Sequence, residues 1–223
     1  NVDIFNNKFL VGSFNTITLG LFTGLICALL AIVINFSIRF TKNKFLERLN
    51  SLMSIGYAIP GLILAVGITR FLVFSDQNVF TNINFVITGS LVGLFLAYII
   101  KSYALANSSI ESGYERISNS IDNSAQLLGS SGGKLLGRIH FPLMRTSFLT
   151  AVLLVTSEVV KELPATLILR PFNFDTLAVI TYTYAAEERM YQAAMPSLAI
   201  VIIGIIPIIF LTKMIRSSRI KDS

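Results

Sequence analysis

Five long apolar stretches constrain this chain more than any other feature. A membrane-crossing helix needs about 20 mainly apolar residues. The stretches cover residues 15–38, 53–74, 85–104, 146–169 and 191–214, and the fourth also carries charges. Only 13% of all residues are charged, about half of what is usual in soluble domains. The sequence therefore predicts an all-α integral membrane protein, a single domain over residues 1–223 with about five transmembrane helices.

The positions of the basic residues predict the orientation of this bundle. With five crossings, residues 39–53, 101–145 and 213–223 share one side, and they hold 13 of the 18 lysines and arginines. By the positive-inside rule that side is cytoplasmic. We therefore expect the N-terminus outside and the C-terminus inside. Because topology accounts for the net charge of +6, no nucleic-acid partner is expected.

Small residues within the apolar stretches are predicted to pack helices together. Glycines four residues apart occur in the first stretch (Gly20 and Gly24) and around the start of the third (Gly89 and Gly93). Such pairs allow two helices to approach closely. Cys27, the only cysteine of the sequence, lies in the first stretch and is interpreted as a small apolar residue.

The longest predicted cytoplasmic loop, residues 118–142, is polar and rich in glycine and serine. Apolar residues at helical spacing predict one short helix over 121–128 and a second apolar stripe over 135–139. The glycines of 129–133 are expected to break the first helix, and Pro142 to end the second and open the fourth span. The loop is therefore predicted to form a small helix–turn–helix knob.

Enzymatic and metal-binding interpretations of this loop are disfavoured. The stretch GSSGGK lacks the first glycine and the final Ser or Thr of a phosphate-binding loop, since Leu128 and Leu135 stand there. His140 is the only histidine and has no second ligand at helical spacing, so we interpret it as a packing residue. The sequence offers no nucleophile–base pair, and we predict no catalytic residues and no metal site.

The loop resembles the cytoplasmic signature of importer permeases of the ATP-binding-cassette (ABC) class. That signature reads Glu-Ala-Ala, three residues, Gly, nine residues, Ile, one residue, Leu-Pro. Its positions correspond here to Asn123, Ser124, Ala125, Gly129, Ile139 and Pro142. The last four match in type and spacing, whereas Asn123, Ser124 and Phe141 depart from it. The missing carboxylate at 123 puts in doubt any ion pair that the family makes there.

The wider sequence is similar to the iron(III) branch of that class. The stretches that carry the similarity are GYAIPGLILAVG (56–67), SSIESGYERIS (108–118) and KELPATLILRPFNFDTLAVITY (161–182), and it extends over about residues 14–215. Permeases of this branch are commonly one long polypeptide of two similar halves. The chain resembles one half, by expectation the C-terminal one, which agrees with its start at Asn1.

The resemblance implies a type I importer permease in the bacterial cytoplasmic membrane. Two permease halves would form one pore, and the loop of each would dock on an ATPase subunit that binds ATP and Mg²⁺. A periplasmic binding protein would deliver iron(III), and this chain itself would bind no cofactor. Sulfate, thiamine, polyamines and phosphonates remain alternative substrates, and an unrelated channel or secondary transporter remains an alternative class.

Charges within the fourth stretch suggest a second site. Glu158, Lys161 and Glu162 are spaced to share one helix face, and Pro164 is expected to kink or end that helix. Charges inside a span usually face a wet cavity or each other. One hypothesis places them along the outer translocation path, where carboxylates suit Fe³⁺. The other is a structural ion pair between helices or with Arg170.

The segment that follows, residues 173–192, is too polar to cross a membrane. It is predicted to lie outside as a re-entrant or surface helix that gates the pore or contacts the binding protein. Glu187 and Glu188 are candidates for that contact, although exposed acids are most often only solvated.

Overall fold

A computed structural model describes residues 7–79 and 86–221, without the side chains of residues 211 and 214–221. Residues 1–6, 80–85 and 222–223, which include the predicted start of the third span, lie outside this part. Its ordered elements are helical throughout. They are α1 (Asn7–Thr41), α2 (Lys44–Ser54), α3 (Gly61–Asn78), α4 (Leu91–Glu115), α5 (Asn119–Leu127), α6 (Gly132–Leu135), α7 (Phe141–Val160), α8 (Pro164–Leu169), α9 (Leu177–Ala186) and α10 (Met190–Lys221).

Within the described residues, four helices are long and apolar enough to cross a membrane, and one bent pair of helices meets the same criteria when its two parts are taken together. The four run over Asn7–Thr41, Leu91–Glu115, Gly132–Val160 and Met190–Phe210. The bent pair joins Lys44–Ala58 to Gly61–Asn78. The predicted all-α bundle of about five transmembrane helices is confirmed.

The centre of the bundle is formed by α1, α4 and α7, which pack against one another. Gly20 and Gly24 of α1 lie against Thr156 and Val152 of α7, where a Cβ on Gly24 would come within 2.7 Å of the Val152 carbonyl oxygen. The predicted close contact at the first glycine pair is therefore confirmed. Of the second pair only Gly93 makes a close contact, with Leu72 of α3, because Gly89 lies in the turn before α4 with open space around it.

The predicted second span, residues 53–74, is not one helix. A 3₁₀ turn over Ile55–Ala58 separates α2 from α3, and the two parts are bent by 116°. Pro60 explains the break, because proline disfavours helical backbone in the residue before it, and Ile59 is extended. Gly56 completes the bend by lying directly against the backbone of Ile100 in α4.

The fourth span also differs from its prediction of 146–169. Its helix begins at Gly132, runs through Pro142 and ends at Val160. Five residues of π-helix, Leu136–His140, precede the proline, and such a bulge lets a helix continue where a regular hydrogen bond is missing. Pro142 therefore does not separate the knob from the span. Pro164, by contrast, starts the separate helix α8, as expected for proline at a first helical position.

The helix predicted within residues 173–192 is α9. Its first turn is held on α1, because the backbone N–H of Leu177 donates to Thr16 Oγ1 (2.8 Å) and the Asn15 side chain donates to the Asp175 carbonyl (3.0 Å). Glu187 and Glu188 are exposed, and Glu187 pairs with Arg189 at 3.0 Å. The segment thus packs along the bundle at the end opposite the knob.

Candidate coupling element and buried charged groups

The knob consists of α5, a glycine turn and α6. Helix α5 ends in a C-terminal cap in which the N–H of Gly129 donates to the Gln126 carbonyl and that of Ser130 to the Ala125 carbonyl, both at 2.9 Å. This pair of hydrogen bonds requires a residue with a left-handed backbone conformation at the turn. Gly129 supplies it with φ of +81°. The predicted helix–turn–helix is present, and Gly129 is its hinge point.

The predicted coupling residues occupy different surroundings in the knob. Asn123 and Ser124 are exposed on α5, whereas Ala125 is buried beneath them. Ile139 is half-buried in the π-helical segment and Pro142 is exposed one turn further on. Asn123 and Ser124 therefore lie on an exposed face of α5, whereas Ile139 and Pro142 belong to the helix that follows.

The sequence did not single out the apolar tip of the knob. Leu127 and Leu128 at its tip are 88% and 87% exposed. Leu128 belongs to the apolar residues whose helical spacing predicted α5, but of Ile121, Ala125 and Leu128 only Ala125 is buried. Two adjacent leucines projecting from a polar segment are unusual for a solvated loop, and they indicate a contact surface.

The conformation of Gly129 gives a prediction with a matched control. Gly129→Ala is expected to destabilise the α5 cap by about 1–2 kcal/mol, because an L-residue is strained at positive φ. Gly133→Ala, four residues later, is expected to leave the knob unchanged or slightly more stable, because Gly133 is helical and open space surrounds both glycines. Amide hydrogen exchange over residues 119–135 measures the difference. Equal protection in the two variants would contradict the role of Gly129.

Three largely buried polar side chains connect α5 to the transmembrane helices; we call Arg39, Asp122 and His140 the anchor cluster. Arg39 Nε donates to Asp122 Oδ2 at 2.7 Å, and His140 Nε2 donates to Asp122 Oδ1 at 2.8 Å. The remaining Arg39 nitrogens donate to the carbonyls of Tyr114 (3.0 Å) and Ile117 (2.6 Å) at the end of α4. The signature's missing acid at 123 is thus accompanied by a carboxylate at 122 that pairs within the chain.

His140 is a packing residue, as predicted, although it also makes a hydrogen bond to Asp122. Its side chain is fully buried, and its ring lies 5.5 Å from the ring of Phe36, 5.9 Å from that of Phe40 and 5.5 Å from that of Tyr114. Asp122 lies in the first turn of α5, where an acidic residue suits the helix dipole. Its pairing with Arg39 could not be predicted from the sequence, since the two residues are 83 positions apart.

A second buried ion pair joins Lys101 of α4 to Glu162, in the break between α7 and α8. Their side chains are 17% and 7% exposed. Glu162 Oε1 also accepts from the backbone N–H of Ala165 at 3.3 Å and lies against Gly61 at the start of α3. The sequence interpretation that counted Lys101 with the cytoplasmic loops was wrong, because Lys101 lies ten residues inside a transmembrane helix.

Glu158 and Lys161 pair with each other as their spacing predicted, at 2.9 Å. The side chains of this pair are more exposed than those of Lys101 and Glu162, at 19% for Glu158 and 62% for Lys161. Glu162, two residues beyond the end of α7, does not join this pair and is bonded to Lys101 instead. Arg170 pairs with Asp175 rather than with either glutamate.

No group of three or more His, Cys, Asp and Glu side chains that could hold a metal ion is present among the described residues. The chemistry of the site is therefore that of ion pairs and of an apolar tip.

Two curated relatives are permeases of bacterial transport systems. An Fe(3+)-transport system permease protein of Haemophilus influenzae is 25% identical over 210 residues, which make up 94% of this chain and 38% of that protein. A putative 2-aminoethylphosphonate transport system permease protein of Salmonella typhimurium is 26% identical over 190 residues, 85% of this chain and 68% of that protein. No protein-family model matches the chain.

Two solved structures share the architecture. A chain of a bacterial alginate ABC transporter, solved with an alginate pentasaccharide-bound periplasmic protein, superposes with a TM-score of 0.69 at 15% identity, over 93% of this chain and 77% of that one. A chain of the inward-facing MetNI methionine ABC transporter gives a TM-score of 0.69 at 14% identity, over 94% and 95%. The chain has the fold of an ABC transporter permease.

The resemblance to permeases of binding-protein-dependent importers is confirmed by these matches. Both curated relatives are permeases by name, and a permease is a pore subunit rather than an enzyme. In this permease fold the predicted site residues lie near opposite ends of α7, which is about 30 Å long. The knob stands at its start, and the charged pairs lie around its end.

Proposed function

We propose that this chain is the transmembrane subunit of an ATP-driven importer in a bacterial cytoplasmic membrane, and that it is one half of a two-half permease. The knob carries this proposal, because it presents two almost fully exposed leucines at the end of the bundle that the basic residues assign to the cytoplasm. The iron-transport relative, of whose length the chain spans 38%, supports the proposal of a longer two-half protein.

The knob would act as the contact with a partner ATPase. Closure of the ATPase subunits around ATP and Mg²⁺ would move the two knobs, and the helices that carry them would rock between inward-open and outward-open states. Rigid-body motion of packed helices is an established way to couple distant sites. The exposed face of Asn123 and Ser124 and the tip of Leu127 and Leu128 would fill a cleft on the ATPase.

Replacement of the tip tests this contact. The double change Leu127→Ser and Leu128→Ser is expected to abolish co-purification of the ATPase subunit and ATP-dependent uptake, because it removes the largest exposed apolar surface of the knob. The change of both residues to Met keeps that surface apolar and serves as the control. Normal co-purification of the Ser variant would contradict docking at the tip.

The proposed substrate is iron(III), delivered by a periplasmic binding protein. The Haemophilus relative supports iron, whereas the Salmonella relative supports 2-aminoethylphosphonate as a second candidate at similar identity. The deciding experiment is uptake of labelled Fe³⁺ by the reconstituted full complex, with 2-aminoethylphosphonate, sulfate and thiamine as competitors. ATP-coupled uptake of one of these compounds without Fe³⁺ uptake would overturn iron, and ATP-independent flux would overturn the importer.

Glu158 and Lys161 are the residues that we propose for the outer translocation path. Their pair is partly open, and charges within a span usually face a water-filled cavity. Glu162 was a candidate for the same path, but its carboxylate is buried against Lys101 and the start of α8. For Glu162 these contacts support the structural alternative.

A further inference from the structure

Helix α5 of the knob contacts the rest of the protein through very few side chains, whereas α6 continues directly into the fourth span. Only Asp122 and Ala125 of α5 are buried, and the turn beyond α5 is surrounded by open space at Gly129, Gly132 and Gly133. Ala125 contributes one methyl group. The direction of α5 relative to the transmembrane helices is therefore set largely by the bonds of Asp122.

Asp122 is bonded from two directions by residues of different transmembrane helices. Arg39 reaches one carboxylate oxygen from the last turn of α1, and His140 reaches the other from the start of the fourth span. Arg39 is in turn fixed to the end of α4 by two carbonyl groups. A carboxylate held at both oxygens cannot swivel as it could on a single bond, because each bond restricts rotation about the other.

The π-helical segment brings His140 to the buried face of its helix, where it contacts Asp122. Leu135 and His140 are five residues apart and both are buried. In a regular α-helix residues five apart point about 140° away from each other. The wider π turn of Leu136–His140 brings them to one face, and such turns occur frequently at functional sites.

We infer that the anchor cluster is the rigid joint that transmits motion between the knob and the transmembrane helices α1, α4 and α7. Arg39, Asp122 and His140 are then positioning residues for energy coupling, distinct from the exposed residues that would touch the ATPase. This inference rests on the proposed function. It predicts that, when the cluster is loosened, the ATPase stays docked but fewer substrate molecules are transported per ATP hydrolysed.

The experiment uses the complete reconstituted complex and measures, per ATP hydrolysed, the uptake of labelled Fe³⁺, or of labelled 2-aminoethylphosphonate if that is the compound the parent complex transports. Asp122→Asn removes the charge that both partners share, and Arg39→Lys keeps a positive charge but loses the planar group that bridges Asp122 to α4. Both are expected to lower the transport-to-hydrolysis ratio about tenfold while the ATPase still co-purifies. Glu47→Gln, the same change of charge on the exposed face of α2, is expected to leave the ratio unchanged.

A distance measurement tests the joint independently of transport. Spin labels on cysteines introduced at the exposed positions Gln126 and Glu115 report the placement of α5 relative to α4, and buried Cys27 does not interfere. We expect a narrow distance distribution in the parent protein and in Glu47→Gln, and a broad one in Asp122→Asn. If Asp122→Asn fails to assemble, Arg39→Lys and His140→Gln carry the same measurement.

The outcomes separate this inference from the proposed function. Absence of ATP-dependent uptake by the parent complex overturns the proposed function, whatever the variants do. A coupled parent with normal transport per ATP and narrow distances in Asp122→Asn and Arg39→Lys overturns the joint alone. Uncoupling with a broadened distance in these variants, and neither effect in Glu47→Gln, supports it.

Discussion

Lys101→Met is expected to destabilise the folded bundle by about 3–5 kcal/mol, because it leaves the buried carboxylate of Glu162 without its partner. Glu162 is only 7% exposed and lies where α3, α4 and α8 meet. Lys161→Met is the matched control. Its pair with Glu158 is far more open, so its loss is expected to cost about 0–1 kcal/mol. Unfolding of the purified protein in detergent measures both variants.

The double variant Lys101→Met with Glu162→Gln separates a structural from a transport role. Removal of both charges is expected to restore most of the lost stability, because no buried charge then lacks a partner. If the pair is structural, uptake returns with stability. If Glu162 belongs to the translocation path, the double variant folds and assembles but does not transport. A Lys101→Met variant as stable as the parent would contradict the buried pair itself.

Glu158→Gln tests whether Glu158 takes part in the outer translocation path. The substitution is expected to reduce uptake while protein level and ATPase docking stay normal, since the Glu158–Lys161 pair is partly open. Unchanged uptake in a normally assembled complex would remove Glu158 from the path.

Gly56→Ala is the second substitution with a large expected effect. A Cβ at Gly56 would lie 2.2 Å from the carbonyl oxygen of Ile100. Because that neighbour is helix backbone, the 3₁₀ turn must move away from α4, at a cost of about 1–3 kcal/mol. The bend between α2 and α3 depends on this contact, so we expect lower yield and lower thermal stability of the membrane protein.

Gly67→Ala provides the control for that substitution. Gly67 lies inside α3 with nothing within 4 Å of its Cβ position. Alanine there is expected to raise helix stability by up to about 1 kcal/mol. The same Gly→Ala change is thus predicted to lower stability at Gly56 and to raise it at Gly67, although both glycines belong to one bent helix pair. Equal behaviour of the two variants would show that Gly56 does not need its close approach to α4.

The sequence predicted those parts of the fold that depend on local composition. Each apolar stretch is largely helical where the structure describes it, and the glycines of 129–133 form a turn between two short helices. The spacing of Glu158 and Lys161 predicted their pair. Where local signals competed, the prediction was wrong: Pro60 divided a span that its hydropathy presented as continuous, and Pro142 did not divide one.

The ion pairs between residues distant in sequence could not be predicted from sequence patterns. Lys101 and Glu162 are 61 residues apart, and Arg39 and Asp122 are 83 residues apart. Lys101 even supported the topology prediction as a supposed loop residue. Nothing in the neighbouring residues of either pair specifies its partner, because the pair forms only where separate helices cross.

The sequence by itself thus determined a helical membrane bundle with a protruding knob, because a backbone in lipid must satisfy its hydrogen bonds within each helix. That requirement is met residue by residue and is readable from hydropathy and glycine positions. Tertiary structure alone decided how the second span bends, which charges are buried together and how the knob is anchored. These features depend on packing between helices distant in sequence, where a buried charge is stable only if the fold brings its partner to it.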